Sequence, residues 1–218
     1  MTTSAKPTLP LRLTEGYAAF KKGDYLRERE RYEELASEGQ TPECLVVACC
    51  DSRAAPETIF NTRPGEIFVV RNVANIVPPY EPDGQYHATS AALEFAVQAL
   101  KVTTILVMGH GRCGGIAAAL DQDMTPLSSG DFIGRWMDLL KEPAEIVAED
   151  PSMTKEERQT ALERMAIRNS IENLRTFPYI KAREDAGEIS LNGAWFDISS
   201  GELWALEPES GEFALVDS

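Results

Sequence analysis

The chain has 218 residues, 43% hydrophobic and 26% charged, an ordinary globular balance that excludes wholesale disorder. Its 35 acids against 21 bases leave a net charge of −14, the wrong sign for a nucleic-acid binder or for docking on anionic membranes. No run approaches the ~20 apolar residues of a membrane span, and Met1–Leu13 lacks the apolar stretch and small-residue cleavage site of a secretory signal.

Length predicts one domain, or one domain with an arm. Residues 1–10 are polar with two prolines. From Thr14 to about Gly39 the chain is rich in Glu, Lys, Arg, Ala and Leu, which predicts one or two helices interrupted near Gly23. Residues 1–40 therefore read as a helical arm, and 41–218 as the main α/β domain. Leu45–Cys49 is a short continuous apolar run, as in a strand buried on both faces. Pro56 opens a short helix and Pro64-Gly65 a turn. Ile67–Val70 is a second buried strand, Thr89–Leu100 a helix and Thr103–Met108 a third strand. Gly114 opens another helix, followed by a helical region over 131–176 broken near Pro143 and Pro151. Ile189–Ile198 is a further strand, and 202–206 and 212–216 read as edge strands. Strands alternating with helices predict a mostly parallel sheet flanked by helices, with an antiparallel C-terminal edge.

Four cysteines are present, three of them within Cys44–Cys50. Adjacent Cys49 and Cys50 bridge poorly, so the thiols read as free or metal-bound in a reducing, cytoplasmic setting. Cys49-Cys50-Asp51-Ser52-Arg53 ends the first core strand, and His110-Gly111-Arg112-Cys113 ends the third. Ligands of open α/β sheets bind beyond the carboxyl ends of strands, where the strand order reverses. Two thiols and one imidazole converging there match a zinc site with three protein ligands, the catalytic arrangement. Two thiolates cancel the formal charge of Zn²⁺, so a second group is needed to help ionise water; Asp51 is placed for that, with Arg53 to hold its carboxylate. Cys44 and Cys50 read as small buried hydrophobes, His87 as a surface residue, and Trp136, Trp195 and Trp204 as packing.

Cys-x-Asp-x-Arg followed roughly sixty residues later by His-x-x-Cys resembles the β-class carbonic anhydrases. The resemblance extends through Pro64–Asn75, Ala92–Val97, Gly109-His110, Gly114–Ile116, Asn169–Pro178 and Asn192–Asp197, covering roughly residues 15–210. It implies Cys49, His110 and Cys113 as ligands of one zinc ion per subunit. It implies that zinc-bound hydroxide attacks CO2 to give bicarbonate and a proton, with Asp51 and Arg53 as the assisting dyad. It further implies a substrate pocket on Gln40, Phe68, Val73, Phe95 and Gly114, with Gln40 reaching across an interface. The partners implied are CO2 or bicarbonate and the chain itself, as a homodimer or a larger assembly, with N-terminal helices wrapping the partner. Plant-type members carry Tyr where this chain has Phe95, and some carry a His where it has Ala99, so proton export falls to buffer or another group. Bicarbonate-inhibited members carry Trp where this chain has Val46, so an open, plant-type site is expected, with Asp51 off the metal.

Three rivals remain. Gly109–Gly114 fits G-x-G-x-x-G, but no acid-ended strand follows at the usual ~20 residues. A zinc or redox sensor would want a fourth protein ligand, Cys44 or Cys50. Hydrolysis of CS2 or COS by a related site would differ only in pocket shape.

Overall fold

The computed structural model describes residues 9–83, 87–121 and 125–217. By Cα proximity the chain divides into Met1–Gln40 and Thr41–Ser218. The first unit carries α1 (Leu11–Lys22), α2 (Asp24–Arg27) and α3 (Arg29–Glu38). None of these helices buries a residue; Phe20, Tyr25 and Tyr32 cluster together, with Lys21 over the Tyr25 ring.

The second unit is built on one sheet. Its strands are β1 (Cys44–Cys49), β2 (Ile67–Asn72), β3 (Thr104–His110), β4 (Ser190–Phe196), β5 (Leu203–Leu206) and β6 (Phe213–Leu215), in the spatial order β2-β1-β3-β4-β5-β6. The first four of that order run parallel and the last two pair antiparallel. The central place of β1 explains its unbroken apolar run. Leu45 and Val47 face one core, Val46 and Ala48 the other, as the strand's two-residue period requires.

The helices of this unit are α4 (Pro56–Ile59), α5 (Ala88–Glu94), α6 (Gly114–Ala119), α7 (Phe132–Met137), α8 (Lys141–Ala148), α9 (Lys155–Arg175) and α10 (Pro178–Asp185). Helix α9 lies on the face that carries Leu45 and Val47, burying Ile167, Ile171 and Leu174 there. A Cβ on Gly109 would lie 2.8 Å from the Ile167 side chain, so the glycine in β3 is what lets this helix seat so closely. Ile59 and Phe60 pack on the opposite face.

Three expectations change. The helix expected over 89–100 is α-helical only to Glu94, then widens into a π-helical turn over Phe95–Ala99. Pro143 breaks nothing: it sits in the first turn of α8, where its missing N–H has no intrahelical acceptor to lose, and the irregular step is the 3₁₀ turn Asp138–Leu140. Helix α10, opened by Pro178, adds to the expected elements. The periodic signal of α9 masks it, although Pro at the first helical position is a start signal.

Candidate metal centre

Chain connections run outward from β1 to β2 on one side and from β3 to β4 on the other. The order therefore reverses between β1 and β3, and the carboxyl ends of these neighbours carry Cys49 and His110. Cys113 caps α6, three residues past the end of β3. The Sγ atoms of Cys49 and Cys113 lie 3.9 Å apart. Thiolates at about 2.3 Å from a tetrahedral zinc are separated by about 3.8 Å. Ligand atoms of Cys49, His110 and Cys113 all fall within 4.8 Å of one another, and all three residues are buried.

His110 supplies the most telling detail. Its Nδ1 is 2.9 Å from the Gly111 carbonyl oxygen, which can only accept, so the proton sits on Nδ1. Its Nε2 is buried and has no hydrogen-bond partner among the described residues. A buried ring nitrogen with a free lone pair, set beside two thiols, has the donor chemistry of a metal ligand. The residues fit zinc, and the acceptor at Nδ1 fixes the tautomer that binding needs.

One thiol of the pair is prepared for deprotonation. The Cys49 thiol is pulled down to about 4, chiefly by its bond with Cys113, and further by His110 and the amides of Asp51 and Ala74, against the cost of burial. Cys113 moves up in the metal-free pair, because it keeps the shared proton and is itself buried. Burial pushes His110 down, but the Cys49 thiolate and the Gly111 carbonyl outweigh it and leave a net upward shift.

Asp51 stands beside this cluster, its Oδ2 3.8 Å from His110 Nε2. Arg53 grips both carboxylate oxygens, with Nε at 2.9 Å from Oδ1 and Nη2 at 2.7 Å from Oδ2, and its backbone N–H adds a bond to Oδ1. That fork holds the Asp51 carboxyl well below the usual carboxylate range. Arg53 also donates to the Arg112 carbonyl at 3.2 Å, linking the two loops.

Of the expected pocket residues, Phe68 and Phe95 meet with ring centroids 5.9 Å apart, and Phe95 and Val73 are 50% and 37% exposed. Gln40 is exposed after α3 at the end of the first unit. A side chain at Gly114 would have open space; the close approach is at Gly115, whose Cβ would lie 2.8 Å from Val73 Cγ1 and 3.1 Å from Ala74 Cβ. Cys50 is exposed rather than buried: β1 stops at Cys49, and the loop turns the next side chain outward. Cys44 is half-buried, Trp195 lies in the core, and Trp136 is bonded to the Val73 carbonyl. His87 is half-buried and pairs with Asp83 at 2.7 Å.

The roles of Arg71, Glu163, Gln159 and Trp195 escaped the sequence reading. Arg71 in β2 donates to the carbonyls of Cys49 and Asp51 at 2.8 and 2.7 Å, clamping the first ligand loop. Glu163 of α9 is 2% exposed and accepts the Cys113 N–H at 2.9 Å and the Trp195 indole N–H at 3.0 Å. Gln159 bridges Glu163 and the Cys113 carbonyl at 3.2 and 3.3 Å. Burial pushes the Glu163 carboxyl up against those donors. A lone acid within the otherwise apolar face Leu162–Ala166–Ile167 was the available signal. The same carboxylate at the start of α6 disposes of the dinucleotide reading, because it takes the Cys113 N–H and would repel a pyrophosphate there. Neither Cys44 nor Cys50 joins the cluster as a fourth ligand, which removes the argument for a sensor.

The family model described as carbonic anhydrase matches residues 44–203. "Beta carbonic anhydrase 3" of Arabidopsis thaliana is 35% identical over 200 residues, covering 90% of this chain and 77% of that protein. "Beta carbonic anhydrase 5, chloroplastic" of the same plant is 37% identical over 198 residues, covering 89% of this chain and 64% of the relative's length. Among solved structures, the β-carbonic anhydrase CcaA superposes with a TM-score of 0.85 at 32% identity, covering 95% of this chain and 92% of that one. A structure reported with two tetrameric β-carbonic anhydrases from the filamentous ascomycete Sordaria macrospora gives 0.76 at 29% identity, covering 89% and 95%. With its sheet, its reversal point and its Cys-His-Cys cluster already in place, the chain belongs to the β-class carbonic anhydrase family.

Proposed function

We propose that this carbonic anhydrase hydrates CO2 at a zinc ion held by Cys49, His110 and Cys113, with Asp51 and Arg53 as the assisting dyad. The observation that carries this reading is the partnerless Nε2 of His110 near two thiols and beside a carboxylate already locked by arginine. Zinc, when bound, supplies a Lewis acid that brings the pKa of water toward ~7.

The chain's own groups do the rest. Asp51 accepts a hydrogen bond from the attacking water and orients it, and Arg53 keeps that carboxylate ionised and aimed. The same grip opposes rotation of Asp51 onto the metal, which supports the open, plant-type site. Phe68, Val73 and Phe95 offer CO2 an apolar wall, with Gly114 at its metal side and Gln40 contributed from a second copy. Exposure of Val73 and Phe95 in the single chain supports a wall completed by a partner. Leu11 and Tyr17 of α1, 66% and 63% exposed, support an arm that buries itself against another subunit, as a homodimer or a larger assembly. Four free thiols fit a reducing compartment, the cytoplasm in this reading. No described helix is long and apolar enough to cross a membrane.

The test is stopped-flow CO2 hydration on the purified protein, before and after removal of zinc with a chelator. Fast hydration that disappears with the metal and returns with zinc is the expected result. A fully zinc-loaded protein without hydration would overturn the reading and turn attention to CS2 and COS.

A further inference from the structure

Glu163 is a buried acid whose carboxylate, among the described residues, is met by neutral donors: the Cys113 amide, the Gln159 side chain and the Trp195 indole. An ionisable side chain kept 2% exposed is costly unless the arrangement it enforces is needed. What it enforces is local. Cys113 stands at the junction of β3 and α6, and the residue before it, Arg112, has a positive φ of 56°. A non-glycine residue in that region is strained and stays there only when neighbours over-determine it. Glu163 Oε1 fixes the Cys113 N–H, and Gln159 holds the carbonyl of the same residue. The backbone of Cys113 is thus pinned on both sides of its Cα from one turn of α9.

The carboxylate is itself aimed from the far side. Its Oε2 takes the Trp195 N–H at 3.0 Å. The face of that indole is covered by Arg164, whose guanidinium lies 4.7 Å from the ring centroid and also sits 5.0 and 5.2 Å from the rings of Trp204 and Phe213. A cation on the ring face makes the indole N–H a stronger donor. The neighbours Glu163 and Arg164 therefore grip one tryptophan by its edge and its face, and couple β4–β6 to the cysteine loop.

We infer that Glu163, aimed by Trp195, is a positioning residue that sets the placement of Cys113 as a metal ligand. This rests on the zinc reading proposed above. Partners behind metal ligands typically contribute 10–100-fold in metal affinity.

The substitution E163Q replaces one carboxylate oxygen by an NH2 group. Whichever way that amide turns, one of the two N–H donors, from Cys113 or from Trp195, meets another donor. W195F removes one of those donors. The test measures zinc affinity by chelator competition on the full chain as wild type, E163Q, W195F and E163Q/W195F. The thiolate-to-cobalt charge-transfer absorption of the cobalt-substituted proteins is recorded in parallel. We expect E163Q to weaken zinc binding by ~10-fold and to alter the cobalt spectrum. W195F should weaken binding in the wild-type background yet restore it, with the spectrum, in the E163Q background, because the glutamine can then give its oxygen wholly to the Cys113 N–H. A packing role alone would make the two losses add. Wild-type affinity and spectrum in E163Q, or simple addition in the double variant, overturns the inference. Should E163Q not fold, W195F alone decides: an unchanged affinity and cobalt spectrum there overturns it equally. A wild-type chain that takes up no zinc overturns the metal reading itself, a different outcome from variants that bind zinc as the wild type does.

Discussion

At the scale of single residues, the centre depends on pairs that each need a specific partner. Asp51 is ionised because Arg53 holds both of its oxygens. Asp51→Asn keeps the shape, and none of the three proposed ligand atoms comes from it, so the variant should retain zinc while losing turnover. A drop on the order of 10²-fold or more is expected for a positioned proton-accepting group. Metal analysis with stopped-flow hydration checks both halves, and full turnover would remove Asp51 from the reaction. The thiols should also separate by reactivity. Burial pushes the Cys44 thiol up to about 11, whereas Cys50 lies exposed. Because the thiolate is the nucleophile, a raised pKa leaves Cys44 almost wholly protonated at about pH 8. Iodoacetamide at about pH 8 should therefore label Cys50 in the zinc-loaded protein well before Cys44, with Cys44 labelling rising only as pH approaches about 11. Peptide mass mapping reads the order, and equal rates would contradict it. Gly115 is needed for space: Gly115→Ala drives a methyl into Val73 and Ala74 and should cost about 1–3 kcal/mol, seen as a lowered urea midpoint.

At the scale of elements, α9 does more than cover the sheet. Its capping box closes on Thr154, whose hydroxyl accepts the Glu157 N–H while the Glu157 carboxylate takes the Thr154 N–H at 2.7 Å. Thr154→Ala should lower stability by about 1 kcal/mol, a fall in Tm of about 2–4 °C for a chain of this size. The Thr154 N–H holds the Glu157 carboxyl below its ordinary range. A carboxyl depressed in the folded state stabilises above its unfolded pKa, and that contribution fades as pH falls below about 4. The Tm difference between wild type and Glu157→Gln, which removes the titrating carboxylate, should therefore narrow in acid, measured by thermal scans from about pH 7 to about pH 3. Between its cap and its C-terminus, α9 carries Gln159 and Glu163 to the cysteine loop and Ile167 to the sheet. One rigid helix thus sets the height of both.

At the scale of the whole molecule, several large apolar residues are left exposed. Leu9, Leu11, Leu13 and Tyr17 stand close in sequence at the start of the first unit, and Val73 and Phe95 are uncovered in the second. Light scattering on the purified full chain should report a dimer or larger, at about twice or more the 24.0 kDa of one chain. Replacing Leu11 and Tyr17 by Glu should shift that mass toward the monomer and reduce hydration, if Gln40 serves a neighbouring subunit as proposed. A wild-type monomer with full activity would remove both the shared pocket and the arm's role.

Much of this was legible before any coordinates. Cys49, Asp51, Arg53, His110 and Cys113 fall within a few residues of strand ends, so periodicity and short motifs placed them. The parallel core showed itself in unbroken apolar runs such as Leu45–Cys49, because a strand buried on both faces has no polar side to alternate. The roles of Arg71, Gln159, Glu163 and Trp195 were not legible, since nothing in a linear pattern says which buried donor meets which acceptor across 50 residues, as Cys113 and Glu163 do. The π-helical turn over Phe95–Ala99 and the end of β1 at Cys49, which leaves Cys50 exposed, were likewise not written in the local pattern. Local chemistry and periodicity are written along the chain, whereas the lone pair left on His110 Nε2 and the grip on Cys113 exist only once separate segments have been folded against each other.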